Sequence, residues 1–130
     1  MIDAALVLIA EDEPDNQVIL QTVVESLIGA RVEVVADGLS LLEVVARQPP
    51  TVILLDLMMP GLDGFEVARR LKADPSTAGI PILAVSALAR SDDREAALAA
   101  GCDDFVRKPF ELDDIEAKIR THIGLPAATE

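Results

Sequence analysis

VILLDLMMPG, residues Val52 to Gly61, sets four apolar residues directly before a carboxylate, Asp56. A run that does not alternate is the mark of a strand buried on both faces of a parallel sheet, because a half-solvated strand would place a polar residue at every second position. The acid at its end is the anomaly. Burying a charge costs several kcal/mol unless a partner compensates it, so the stretch predicts both an element and an unidentified counter-charge.

Similar runs recur along the chain: ALVLIA at 5–10, TVILLD at 51–56 and PILAVSA at 81–87. RVEVVAD at 31–37 interleaves Arg31 and Glu33 with valines and is predicted to be an edge strand, while CDDFVRK at 102–108 is the most polar of the five. Between the runs lie helical patterns. Val18, Val23, Val24, Leu27 and Ile28 mark the first, and Leu41, Leu42, Val44 and Val45 the second. Phe65, Val67, Ala68 and Leu71 mark the third, DREAALAA the fourth, and Leu112, Ile115, Ile119 and Ile123 the fifth. Gly29 and Gly101 stand where a left-handed helix end is wanted, Ser91 can cap the fourth helix, and Pro109 closes the fifth strand. Five strands alternating with five helices require right-handed crossovers, hence an α/β fold with a doubly wound parallel sheet in a three-layer sandwich.

Composition narrows what such a domain does. The chain has 130 residues, enough for one domain with a real core; we divide it into 1–124 and a short tail at 125–130. Trp and Tyr are absent and only three Phe occur, so the core is built from Val, Leu, Ile and Ala. A formal charge of -12 repels phosphate backbones and anionic lipid, which argues against direct binding of nucleic acid or membrane. The single cysteine, Cys102, is read as a small buried hydrophobe in a reducing compartment. No signal-peptide pattern opens the chain and no apolar run exceeds strand length, so a cytoplasmic location is expected.

In this architecture ligands collect beyond the carboxyl ends of the strands, where strand order reverses. Those ends are polar in a complementary way. The first strand runs into Glu11, Asp12 and Glu13, the third into Asp56, the fourth into Ser86 and Ala87, and the fifth into Lys108. Carboxylates brought together raise one another's pKa unless a cation sits among them, and oxygen ligation with few protein ligands suits Mg²⁺. Asp15 is read as a residue that caps the first helix or opposes its dipole, with Glu13 and Asn16 as further candidates, and His122 as a helix C-terminal cation.

With these residues in view, the chain resembles the response-regulator receiver domains of two-component signalling. The likeness runs from about Leu6 to Gly124 and rests on Glu11-Asp12, on D-x-M-M-P-G-x-D-G from Asp56 to Gly64, on Ser86-Ala87, and on F-V-R-K-P-F from Phe105 to Phe110. It implies a flavodoxin-like sheet of order 2-1-3-4-5. It also implies that Asp56 is the phosphoacceptor and that Asp12, Asp56 and the main-chain carbonyl of Met58 ligate Mg²⁺ directly. Glu11 stands where Asp is commoner and would reach the ion through a bound water. Lys108 resembles the phosphate-pairing lysine, Ser86 the hydroxyl that bonds the phosphoryl group beside the Ala87 backbone amide, and Phe105 the aromatic switch. The implied partners are a sensor histidine kinase or phosphotransfer protein, met near Asn16 to Leu20 on the first helix, and a downstream protein met through helix four, strand five and helix five; a transient dimer stays open. Since no output module follows Gly124, the signal is expected to leave through a partner, or the chain is one domain of a larger protein.

The chemistry is consistent without the likeness. A carboxylate can attack phosphorus once the approaching negative charges are neutralised, which a divalent ion and an ammonium accomplish. The likeness further implies that residues two beyond Asp56 and Ser86 flank the path of a hydrolytic water, and here they are Met58 and Leu88, neither of which orients water. Slow self-dephosphorylation is therefore expected. A phosphatase of the haloacid dehalogenase type is the enzymatic rival, but Met58 occupies the place of its second Asp. A flavodoxin-like cofactor binder would have to seat a phosphate on the acidic EDEPD stretch, 11–15. A receiver-like module that is never phosphorylated would not need Asp12, Asp56 and Lys108 together.

Overall fold

The computed structural model describes residues 5–59, 61–87 and 91–124, with the side chain of Ser91 left out. The proposed cap at Ser91, the water-path residue Leu88 and the tail at 125–130 therefore lie outside the described residues. Five strands form one parallel sheet of order β2-β1-β3-β4-β5: β1 (Leu6–Ala10), β2 (Arg31–Val35), β3 (Val52–Leu55), β4 (Ile82–Ser86) and β5 (Asp104–Arg107). The expected fold and strand order are met, with β2 at an edge as its alternation required and β5 at the other.

Each central strand is buried on both faces. Leu8, Ala10, Ile53, Leu55, Ile82 and Ala84 meet one apolar cluster with α2 (Gly38–Arg47), α3 (Gly64–Ala73) and α4 (Ser91–Ala100). Val7, Ile9, Val52, Leu54, Leu83 and Val85 meet the other with α1 (Pro14–Thr22) and α5 (Leu112–His122). The four residues of β3 are at most 1% exposed. At roughly 2 kcal/mol for each buried aliphatic side chain, that strand alone offsets the cost of one poorly solvated carboxylate at its end.

The first helix departs from expectation. Helix α1 runs on into a π-helical segment, Val23–Ile28, closed by Gly29 at φ 83°. Leu20, Val23, Val24 and Ile28 are buried, but Val18 is 63% and Leu27 45% exposed, so the core face assigned to those two residues is corrected. A wider turn brings Leu27 out of the stripe that α-helical spacing would give it. Leu112 is also exposed, because it occupies the first turn of α5; Ile115 and Ile119 bury the face as expected, and Ile123 packs at its end.

Candidate functional site

Strand register assembles the site. Ala10 pairs with Leu55, and the Asp56 amide donates to the Ala10 carbonyl at 3.0 Å, so the residues after β1 and β3 lie side by side. Because β2 lies on the other side of β1, this is the point at which strand order reverses. Ser86 pairs with Arg107, and the Lys108 amide donates to the Ser86 carbonyl at 2.8 Å, which brings the lysine to the same edge.

Glu11, Asp12 and Asp56 offer carboxylate oxygens that all lie within 4.8 Å of one another. Glu11 is fully buried and Asp56 is 3% exposed. Lys108 Nζ donates to Asp56 Oδ2 at 3.1 Å and stands 2.8 Å from Glu11 Oε1. The Met58 amide donates to Asp56 Oδ1 at 2.9 Å, so each Asp56 oxygen has a donor. The counter-charge that the VILLD stretch demanded is thus Lys108. The peptide bond between Lys108 and Pro109 is cis.

Electrostatics leave room for a further cation. Burial pushes the Glu11 carboxyl above its usual range; the Lys108 ammonium and the Glu13 amide pull it back in part, and nearby Asp56 adds to the rise. Burial also works to depress Lys108, but Glu11 and Asp56 outweigh it and hold the ammonium above its ordinary value. Three acids against one ammonium leave two formal negative charges, the complement of a divalent ion. Glu11 Oε1 is buried without an aligned hydrogen bond, since the close Lys108 contact is an ion pair lacking hydrogen-bond geometry. An all-oxygen donor set whose buried Glu11 oxygen has no partner but an ammonium fits Mg²⁺.

The other expected site residues fall at the same edge or beside it. Ser86 is fully buried at the end of β4, and Ala87 is exposed just beyond it. Phe105 is half-buried and packs against the cluster under α4. The Met58 side chain is 58% exposed, in keeping with a role assigned only to its main chain.

Of the acids read as helix caps, Glu13 makes no cap bond and Asp15 fills only the dipole-opposing role. Glu13 is the N-cap residue of α1 but makes no side-chain cap bond; its Oε1 lies 3.7 Å from Lys108 Nζ and accepts from Asn16 Nδ2 at 3.0 Å. Asp15 lies in the first turn, where its charge opposes the dipole, and it is not the cap. The true side-chain caps are Asp37, accepting from the Ser40 amide, and Asp63, accepting from the Glu66 amide. Their Asp-x-x-Ser and Asp-x-x-Glu spacing was the available signal. His122 does end α5, and its Nε2 lies 3.6 Å from Asp104 Oδ2.

A flavodoxin-like α/β domain with a cluster of acids and one lysine at its switch point defines a signalling module of the receiver type. The chain belongs to the response regulator receiver domain family, whose model matches residues 7–120. It is 45% identical over 92 residues to the response regulator MprA of Mycobacterium leprae, a match covering 71% of this chain and 40% of that protein. The chain spans less than half the length of the curated relatives it matches. A putative response regulator from Chloroflexus aurantiacus superimposes with a TM-score of 0.88 at 26% identity, covering 92% of this chain and 98% of that one. The receiver domain of sensor histidine kinase PA1611 from Pseudomonas aeruginosa has a TM-score of 0.84 at 36% identity, again covering 92% and 98%; that structure has a magnesium ion coordinated in its active site cleft. Among the described residues no helix is long and apolar enough to cross a membrane.

Proposed function

We propose that Asp56 accepts a phosphoryl group from a phosphohistidine of a sensor kinase or phosphotransfer protein. The phosphorus–nitrogen bond of the donor breaks as a carboxylate oxygen of Asp56 bonds to phosphorus, and the leaving imidazole keeps the electron pair. The observation that carries this reading is the convergence of Glu11, Asp12, Asp56 and Lys108 at one sheet edge. Glu11, Asp12, Asp56 and the Met58 carbonyl would hold Mg²⁺, which when bound supplies positive charge to the carboxylate and the incoming phosphoryl oxygens. Lys108 adds a second positive charge from the β5 side, and the Ser86 hydroxyl with the Ala87 amide supplies donors for the phosphoryl oxygens.

The new charge then biases a two-state element. Ser86 turns toward the phosphoryl group, Phe105 packs inward behind it, and the α4–β5–α5 face changes for a downstream protein or a second copy of the domain. Turnover is not its purpose: the domain is a cytoplasmic phosphoacceptor that assists its own phosphorylation and loses the group slowly. Incubation with acetyl phosphate and Mg²⁺ followed by intact mass measurement tests the reading. One added phosphoryl group, absent from Asp56→Asn, is expected. Continuous phosphate release, or equal labelling of Asp56→Asn, would overturn it.

A further inference from the structure

Lys108 is held by three carboxylates, and one of them does not belong to the ion site. Its Nζ lies 2.8 Å from Glu11 Oε1, 3.1 Å from Asp56 Oδ2 and 3.7 Å from Glu13 Oε1. Glu11 and Asp56 are also members of the cluster that suits a divalent ion. Glu11 Oε2 already accepts from the Glu13 amide at 3.1 Å, while Oε1 lies 2.8 Å from the ammonium and has no other hydrogen-bond donor among the described residues. Lysine and ion therefore compete for one buried carboxylate. Glu13 is different: its side chain is 64% exposed, lies outside the cluster, and is fastened toward Lys108 by Asn16.

We propose that Lys108 is a resident counter-cation which a divalent ion must displace from Glu11, and that Glu13 is the positioning residue that keeps the displaced ammonium beside Asp56. This deepens the phosphoacceptor reading and rests on it for the identity of the site. Without the ion, Lys108 is the counter-charge that the buried Glu11 and Asp56 share, and it offsets part of their charge. With the ion, like charges push the ammonium off Glu11. Glu13, reached by no part of the ion cluster, remains as its acceptor, so Lys108 stays poised near the phosphoacceptor and is not lost to solvent.

The test is Mg²⁺ binding to the full chain by titration calorimetry, which needs no activity. Lys108→Met is expected to bind Mg²⁺ about tenfold more tightly, the size of an ordinary coupling between two sites. Glu13→Gln is expected to bind it more weakly than Asp15→Asn, which removes an equal charge from the first turn of the same helix. In the Lys108→Met background the excess effect of Glu13→Gln should vanish. Unchanged or weaker binding by Lys108→Met overturns the proposal, as does a Glu13→Gln effect that persists without the lysine. Should Lys108→Met not fold, side-chain ammonium NMR of the unmodified chain decides. Saturating Mg²⁺ should shift the Lys108 signal and leave that of Lys72, which is bonded to the Ala78 and Ile80 carbonyls and to Asp103. An unmoved Lys108 signal overturns the exchange. Failure of the phosphoacceptor reading shows separately, as no mass gain with acetyl phosphate in a protein whose Mg²⁺ cycle behaves as stated.

Discussion

Gly64 packs against Leu57 so tightly that a Cβ on the glycine would lie 2.6 Å from the Leu57 Cα and 3.0 Å from the Asp56 carbonyl oxygen. Both of these neighbours are backbone, so a rotamer change of the Leu57 side chain, whose Cδ2 would lie at 2.9 Å, does not relieve the overlap. The first residue of α3 thereby fixes the loop that carries Asp56, the proposed phosphoacceptor. Gly64→Ala is expected to cost about 1–3 kcal/mol of stability, the usual range for overpacking, and to slow phosphorylation by acetyl phosphate because Asp56 must move. Urea denaturation and timed mass measurements check the two effects. A variant of normal stability that phosphorylates at the normal rate would show that the loop yields freely.

A second fastening lies at the opposite edge of the sheet. Lys72 on α3 donates to the carbonyls of Ala78 and Ile80 and to Asp103 Oδ2, and that same carboxylate oxygen accepts from the Ile82 amide at 2.8 Å. Four segments of chain are joined through one ammonium and one carboxylate. Hydrogen bonds to charged groups contribute roughly 1.5–3 kcal/mol each in general, but Asp103 is 41% exposed and solvent screens that pair. Lys72→Met is therefore expected to cost about 2 kcal/mol, mainly through the two carbonyls left without their donor. Phosphorylation of Asp56 should be unaffected, since the fastening lies away from the site. Parallel denaturation and phosphorylation measurements would separate the two.

The parts of the molecule that could be read from sequence are those set by local pattern. Unbroken apolar runs gave away the parallel strands, and the acids and lysine at their ends identified Glu11, Asp12, Asp56 and Lys108 because register is nearly forced in a sheet buried on both faces. What escaped depends on geometry that no spacing encodes. Leu27 left the core stripe because the π-helical turn breaks the α-helical period. Glu13 was a candidate cap for the first helix, whereas its side chain makes no cap bond and lies 3.7 Å from a lysine ninety-five positions away. The Lys72–Asp103 pair is likewise a product of folding, joining residues 31 apart.

Cys102 supplies a pH prediction away from the site. Burial, aided by the Asp103 carboxylate and opposed by Lys72, pushes its thiol from 9.0 up to about 12. Between those values the unfolded chain has lost a proton that the folded chain keeps, so rising pH favours unfolding. The contribution of the buried thiol is complete below pH 9 and lost progressively toward pH 12. One proton corresponds to about 1.4 kcal/mol per pH unit. From pH 9 to 10, where the unfolded thiol passes from half to nearly full ionisation, stability of the unmodified chain should fall by about 1 kcal/mol more than that of Cys102→Ala. Matching slopes would mean that the thiol reaches solvent in the folded state, and rapid alkylation at pH 8 would say the same.

Persistence of the phosphoryl group is predicted to turn on Met58. Hydrolysis requires a water aligned behind phosphorus, and a side chain able to hydrogen-bond that water lowers the barrier by holding it in line. Met58 presents a thioether that is 58% exposed and a poor acceptor, although its amide still anchors Asp56 Oδ1 at 2.9 Å. Met58→Asn keeps the amide and adds a side chain that can both donate and accept. A single well-placed hydrogen bond is worth about 1.4 kcal/mol, or roughly a tenfold faster loss of phosphate. The unmodified chain should hold its label for many minutes after acetyl phosphate is removed, and the variant should lose it about tenfold sooner, as followed by intact mass. A label lost within seconds from the unmodified chain would mean that another group aligns the water, and equal lifetimes in the two proteins would place the limiting step elsewhere.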